Sequence, residues 1–97
     1  KGGLCMSLSE ERLKAVYGVF SEGWKFLKQL LQEYPEFPQK PLTDEQWEAI
    51  VQKQSEKYEE GKEYYKDEAL FSLYRSMLLA AGKYMEVEGK AYENKKD

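Results

Sequence analysis

Apolar residues recur at helical spacing over the first third of the chain. From Leu13 to Tyr34 they recur at steps of three and four positions, apart from the adjacent pair Val16 and Tyr17, which is typical of one face of an α-helix. This first stripe consists of Leu13, Val16, Tyr17, Phe20, Trp24, Leu27, Leu31 and Tyr34. A second stripe adjoins it and consists of Ala15, Val19, Phe26 and Leu30. Together the two stripes cover about 200° of the helix circumference.

The ends of this first helix are predicted by local signals. Ser7 is followed three residues later by Glu10, which is the spacing of a capping box. Tyr34 precedes Pro35, and a residue before proline is disfavoured in the α region. We therefore expect the first helix over residues 8–34.

Two further helices follow. Thr43 and Gln46 have capping-box spacing, so a second helix is expected over 43–62. It would end near Gly61 or continue past it toward Lys66, because Tyr65 stays in phase with Tyr58. Its apolar stripe covers only about 100° and consists of Trp47, Ile50, Val51 and Tyr58. Asp67 is a suitable N-cap for a third helix over 67–89, which Gly89 would end. The apolar arc of the third helix again covers about 200°, and Leu79 lies on its otherwise polar side.

Three helices without strand-like alternation predict an all-α, antiparallel three-helix bundle in up-down-up order. The bundle domain would span residues 8–90. Residues 1–7 are expected to be a disordered N-terminal segment or a cloning remnant, and residues 91–97 a frayed polar tail.

The first and third helices carry more apolar surface than the narrow second helix can cover. We therefore expect self-association, as a dimer, through the first and third helices. Tyrosine is enriched at protein interfaces, and several aromatic residues do not fit inside one small bundle. The candidate interaction surface consists of Phe37, Tyr64, Tyr65, Leu79, Tyr92, Val19, Phe26 and Leu30. The other large aromatic residues on the stripes, including Tyr17, Trp24 and Tyr84, are expected in the core.

The segment YPEFPQKPL places a proline at every third position, at Pro35, Pro38 and Pro41. Polyproline II has three residues per turn, so the three rings could line one edge, as in ligands of SH3 and WW domains. The segment is also tethered at both ends by helices. A stiff connector, with Phe37 against the bundle, is favoured over a docking ligand.

The residue types argue against catalysis and cofactor binding. The sequence has no histidine and one cysteine, which removes the usual general base, the common nucleophile pairs and multi-cysteine metal sites. The glycine-rich phosphate-binding motifs GxGxxG and GxxxxGK[ST] do not occur in the sequence. The glutamates between 56 and 63 alternate with lysines in the spacing of solvated ion pairs. We expect no catalytic, cofactor-binding or metal-binding residues.

Charge and hydropathy limit the partners. The net charge is −3, from 18 acidic and 15 basic residues that are interspersed, whereas nucleic-acid binding needs a concentrated basic face. The sequence contains no apolar run of about 20 residues that could cross a bilayer. We expect a cytoplasmic protein without membrane contacts, and the dispersed charge disfavours nucleic acid as a partner.

These features predict a non-enzymatic helical interaction module that self-associates and binds a further protein. The alternative is a DNA-binding regulatory domain, since three-helix domains often bind DNA, although the chain has only the arginines Arg12 and Arg75. The composition, rich in Glu, Lys and Tyr, resembles that of small accessory proteins of low-GC bacteria, their phages or mobile elements.

Overall fold

The computed structural model describes residues 8–96 and contains three helices within that range. They are α1 (Glu10–Glu33), α2 (Asp44–Tyr64) and α3 (Glu68–Lys96). No strand occurs in this part of the chain. The predicted all-α three-helix bundle is confirmed.

Each helix begins at a side-chain cap. The Ser9 hydroxyl accepts a hydrogen bond from the Arg12 backbone N–H at 3.0 Å, so α1 begins two residues after the expected position. The expected cap, Ser7, lies outside the described residues. At α2 the predicted box forms in both directions, because Thr43 accepts from the Gln46 N–H at 3.1 Å and donates its own N–H to the Gln46 side chain at 2.9 Å.

The third helix lies between the other two. Gly23 of α1 packs against Met77, and Arg12 pairs with Asp67 just before α3, so α1 and α3 run parallel. On α2, Gly61 packs against Tyr74, whereas Gln54, earlier in the chain, donates to the Leu78 carbonyl at 2.9 Å. The second helix therefore runs antiparallel to α3, as the up-down-up order predicts.

The core forms where α1 and α2 both meet α3. Its buried residues are Val19, Phe26, Leu30, Ile50, Tyr74, Leu78, Ala81 and Met85. The molecule is elongated and flat, with extents of 57 × 29 × 17 Å. Because the thinnest dimension is less than two helix diameters of 10–12 Å, much of the helix surface remains in contact with solvent.

Gly89, which was expected to end the third helix, and Gly61, one of two possible ends of the second, both lie at contacts inside helices. Gly61 lies within α2, where a Cβ atom would be 2.5 Å from Cε2 of Tyr74. Gly89 lies within α3, where a Cβ atom would be 3.4 Å from the ring of Phe37. α3 therefore does not end at Gly89. It continues through most of the predicted frayed tail to Lys96.

The connector between α1 and α2 is folded into turns. The Phe37 N–H donates to the Tyr34 carbonyl at 3.1 Å, and the Lys40 N–H donates to the Glu36 carbonyl at 2.9 Å. Polyproline II has no internal hydrogen bonds, so the alternative of a polyproline edge with three stacked rings does not form. Phe37 is half-buried against the core, which agrees with the connector interpretation.

Candidate functional site

The two apolar stripes of α1 exchange their expected roles. The shorter stripe is buried: Val19 and Leu30 are fully inaccessible and Phe26 is 4% exposed. These three residues were predicted to be part of the interaction surface, and the structure places them in the core. They face α2 and α3, which meet on that side of α1, so they are not available for contact with another molecule.

The longer stripe of α1 faces solvent between Leu13 and Trp24, whereas its last three residues, Leu27, Leu31 and Tyr34, are half-buried against the core. Four of its residues are half-exposed or more, namely Leu13 (53%), Tyr17 (74%), Phe20 (50%) and Trp24 (56%). The sequence pattern assigned Tyr17 and Trp24 to the core, and this assignment is corrected. The width of the apolar arc already indicates that part of it is exposed, because a helix packed along one side cannot bury about 200° of its circumference.

A matching arc lies on α3. Tyr84 is 46% exposed, Val87 is 52% exposed, and the small residues Ser76 and Ala80 are exposed as well. Leu73 is half-buried in the same arc. Tyr84, like Tyr17 and Trp24, was expected in the core. We call the outward arcs of the two helices the α1–α3 face, which consists of Leu13, Tyr17, Phe20, Trp24, Leu73, Ser76, Ala80, Tyr84 and Val87.

Both arcs point away from α2. On α1, Gly18 and Glu22 line a cleft shared with α2, and the outward stripe lies about 100–160° around the helix from Gly18 and about 140–180° from Glu22. On α3, Phe71 and Gly82 contact α2, and Ala80 and Tyr84 lie roughly 140–180° around the helix from them. The α1–α3 face is therefore one continuous surface on the side of the molecule opposite α2.

The α1–α3 face is uncharged in a chain of which 34% of residues are charged. On α1 the four residues of the face are apolar, and the exposed Lys28 lies at its edge, one turn beyond Trp24 and about 20° around the helix from Tyr17. On α3 the residues of the face are apolar apart from the hydroxyls of Ser76 and Tyr84, and the exposed Lys83 lies at its edge, about 20° around the helix from Ser76. Depletion of charge together with enrichment in aromatic residues is the composition that distinguishes the centre of a protein interface from ordinary surface.

A second surface lies between the connector, α2 and α3. It is a groove of about 610 Å³ that brings together two predicted interaction residues, Phe37 and Leu79. Leu79 is 60% exposed. The rim contains Lys83 and Lys90, which both pair with Glu86, at 3.8 and 3.5 Å. We call it the loop groove; its apolar lining consists of Phe37, Pro38, Pro41, Leu42, Trp47, Ile50, Val51 and Leu79.

Two other predicted residues, Tyr64 and Tyr65, lie at the opposite end of the molecule. Tyr64 is 78% exposed and packs edge-on against Tyr65, with ring centroids 4.9 Å apart. The Tyr65 ring is half-buried and lies 5.0 Å from the ring of Tyr74. Burial raises the pKa of Tyr65, and it raises the pKa of Tyr74 to about 12. The remaining predicted residue, Tyr92, is half-buried near the end of α3.

An ion pair joins the starts of α1 and α3. Both terminal nitrogens of Arg12 donate to the Asp67 carboxylate, at 2.8 and 3.0 Å. Asp67 also caps α3, because its Oδ1 accepts from the N–H groups of Ala69 and Leu70. The hydrogen bonds from Arg12, followed by those from the backbone, lower the pKa of Asp67 to about 2. One of the two arginines of the chain is therefore committed to an intramolecular contact.

The described residues contain no cluster of three or more Cys, Asp or Glu side chains arranged to hold a metal ion. Among the helices between residues 8 and 96, none has the length and apolar character needed to cross a membrane. Comparison with protein families, with curated proteins and with solved structures found no match to this chain.

Proposed function

We propose that the protein is a non-enzymatic interaction module that self-associates through the α1–α3 face. The observation that carries this proposal is the exposure of Tyr17, Phe20 and Trp24 together on one uncharged surface. Exposed apolar patches larger than a few hundred Å² usually mark interaction sites on soluble proteins.

The area of the face supports a second copy of the chain as its partner. A fully buried aromatic side chain covers roughly 150–250 Å², so the exposed parts of this face amount to roughly 500 Å² per protomer. A symmetric pair would then bury about 1,000 Å² before polar rim residues are added, which is the lower limit for a specific interface. An accessory role of this kind also fits the compositional resemblance noted from the sequence.

The proposal is tested by sedimentation velocity from low to high micromolar protein, comparing the wild-type chain with Phe20→Glu. The wild-type chain should shift from monomer to dimer as its concentration rises. Phe20 is half-exposed, so a glutamate at this position is solvated in the monomer but would be desolvated in the dimer. Phe20→Glu should therefore sediment as a monomer throughout.

A matched control is available on α3. Leu79 is 60% exposed, but it lines the loop groove and not the α1–α3 face. Leu79→Glu introduces the same charge at a similarly exposed position, and it should associate as the wild-type chain does. A wild-type chain that remains monomeric at the highest concentration would contradict the proposed function.

A further inference from the structure

The two helices of the α1–α3 face differ in the size of their outward side chains. At its centre α1 presents Tyr17, Phe20 and Trp24, whereas α3 presents Ser76 and Ala80. A surface that is bulky along one helix and shallow along its neighbour complements a second copy of itself only when bulky meets shallow. From this difference we infer that the pair is parallel, with α1 of each copy lying over α3 of its partner. This inference rests on the proposed self-association.

Two-fold symmetry leaves two simple ways to pair this face. A two-fold axis parallel to the helices places α1 over the partner's α3, with all helices of the face pointing in the same direction. A two-fold axis perpendicular to them places α1 antiparallel over the partner's α1. In the second arrangement the bulky row of one copy would meet the bulky row of the other, and the small residues Ser76 and Ala80 at the centre of α3 would leave a gap.

The parallel arrangement also has a defined register. Arg12 lies beside Asp67 and Gly23 beside Met77, so each α1 residue is level with the α3 residue roughly 54 or 55 positions later. Rotation about an axis parallel to the helices does not change the position of a residue along that axis, so the same residues are level with each other across the pair. Trp24 would therefore enter the partner's surface between Ser76 and Ala80, where the outward side chains are smallest.

Energy transfer between labelled chains distinguishes the two arrangements. In a Cys5→Ser background, Glu11→Cys and Gln32→Cys place single labels at exposed positions of α1 outside the face. These positions are about 31 Å apart along the helix. Donor-labelled Glu11→Cys is mixed with an excess of acceptor-labelled Glu11→Cys, and separately with an excess of acceptor-labelled Gln32→Cys.

The parallel pair predicts stronger transfer in the mixture with both labels at position 11, because both labels lie at the same level. Stronger transfer between positions 11 and 32 would overturn the parallel arrangement while leaving self-association intact. Absence of transfer in both mixtures, together with a monomeric mass, would overturn the proposed function itself.

A size substitution tests the register independently. Ala80→Trp fills the shallow site with an exposed side chain, which should weaken association at least tenfold without affecting the monomer. Ser72→Trp is the control, because Ser72 is also small and exposed but lies about 80° further around α3. If Ala80→Trp associates as well as Ser72→Trp, the proposed contact between Trp24 and the partner's α3 is wrong.

Discussion

Tyr74 is the most constrained polar side chain of the core. It is 6% exposed, and its ring is held between Gly61 and the ring of Tyr65. Burial, followed by the charges of Tyr65, Glu22 and Glu60, raises its pKa to about 12. The native state therefore holds the phenolic proton more tightly than the unfolded state does.

This difference predicts how stability changes in alkaline solution. A raised pKa stabilises the fold below the unfolded value of about 10, and that contribution is lost as the pH rises toward about 12. Tyr74→Phe keeps the ring and removes the ionisation, so its stability should fall less steeply over this range. Part of the decrease in the free energy of unfolding with pH should remain in this variant, because burial also raises the pKa of Tyr65.

The measurement is denaturant unfolding from about pH 9 to about pH 12 for the wild-type chain and for Tyr74→Phe. An equal loss of stability in the wild-type chain and in Tyr74→Phe would show that this phenol does not couple to folding.

At the scale of helices, glycine has different roles at different positions. Gly61 allows α2 to approach Tyr74, since a Cβ atom there would be 2.5 Å from the ring. Gly18 lies in the interior of α1, where an added Cβ atom would meet nothing within 4 Å, so the packing does not require a glycine. Only the first of these glycines is needed for a close approach between helices.

Substitution by alanine should therefore have opposite effects at the two positions. Gly18→Ala should raise the free energy of unfolding by roughly 0.5–1 kcal/mol, because it removes backbone entropy from the unfolded chain. Gly61→Ala should lower it by about 1–3 kcal/mol, because the added methyl group overpacks against a buried ring. Denaturant unfolding at one protein concentration checks both, and equal stabilisation by the two substitutions would contradict the packing at Gly61.

The starts of the helices could largely be predicted from the sequence, because they depend on capping residues that are close together in the chain. The spacing of Thr43 and Gln46 determined the start of α2, and Asp67 was identified as the cap of α3. Gly89 was misassigned because a glycine that ends a helix and one that accommodates Phe37 have the same local sequence signal. Only the tertiary contact distinguishes them.

At the scale of the whole molecule, periodicity shows which residues share a helix face but not which way that face points. Both stripes of α1 are apolar, so either could have faced the core. The stripe with Val19, Phe26 and Leu30 is the buried one because α3 and α2 pack against it. The surplus of apolar surface was predictable from the arc widths, whereas its location on Tyr17, Phe20 and Trp24 required the packed structure.

The α1–α3 face and the loop groove point in different directions, and this separation leads to a final prediction. Leu79 and Lys90 of the groove lie on α3 roughly 100° away from the face. Dimerisation should therefore cover one surface and leave the other open. The two tryptophans report on them separately, because Trp24 belongs to the face and Trp47 lines the groove.

Each tryptophan can be observed alone in Trp47→Phe or Trp24→Phe, both of which keep an aromatic ring at the altered position. As protein concentration rises, emission from Trp24 should move to shorter wavelength and become less sensitive to acrylamide, because its exposed surface, 56% in the single chain, is covered by the partner. Emission from Trp47 should not change with concentration. A concentration-dependent change at Trp47 with none at Trp24 would place the contact between copies at the groove, and would contradict association through the α1–α3 face.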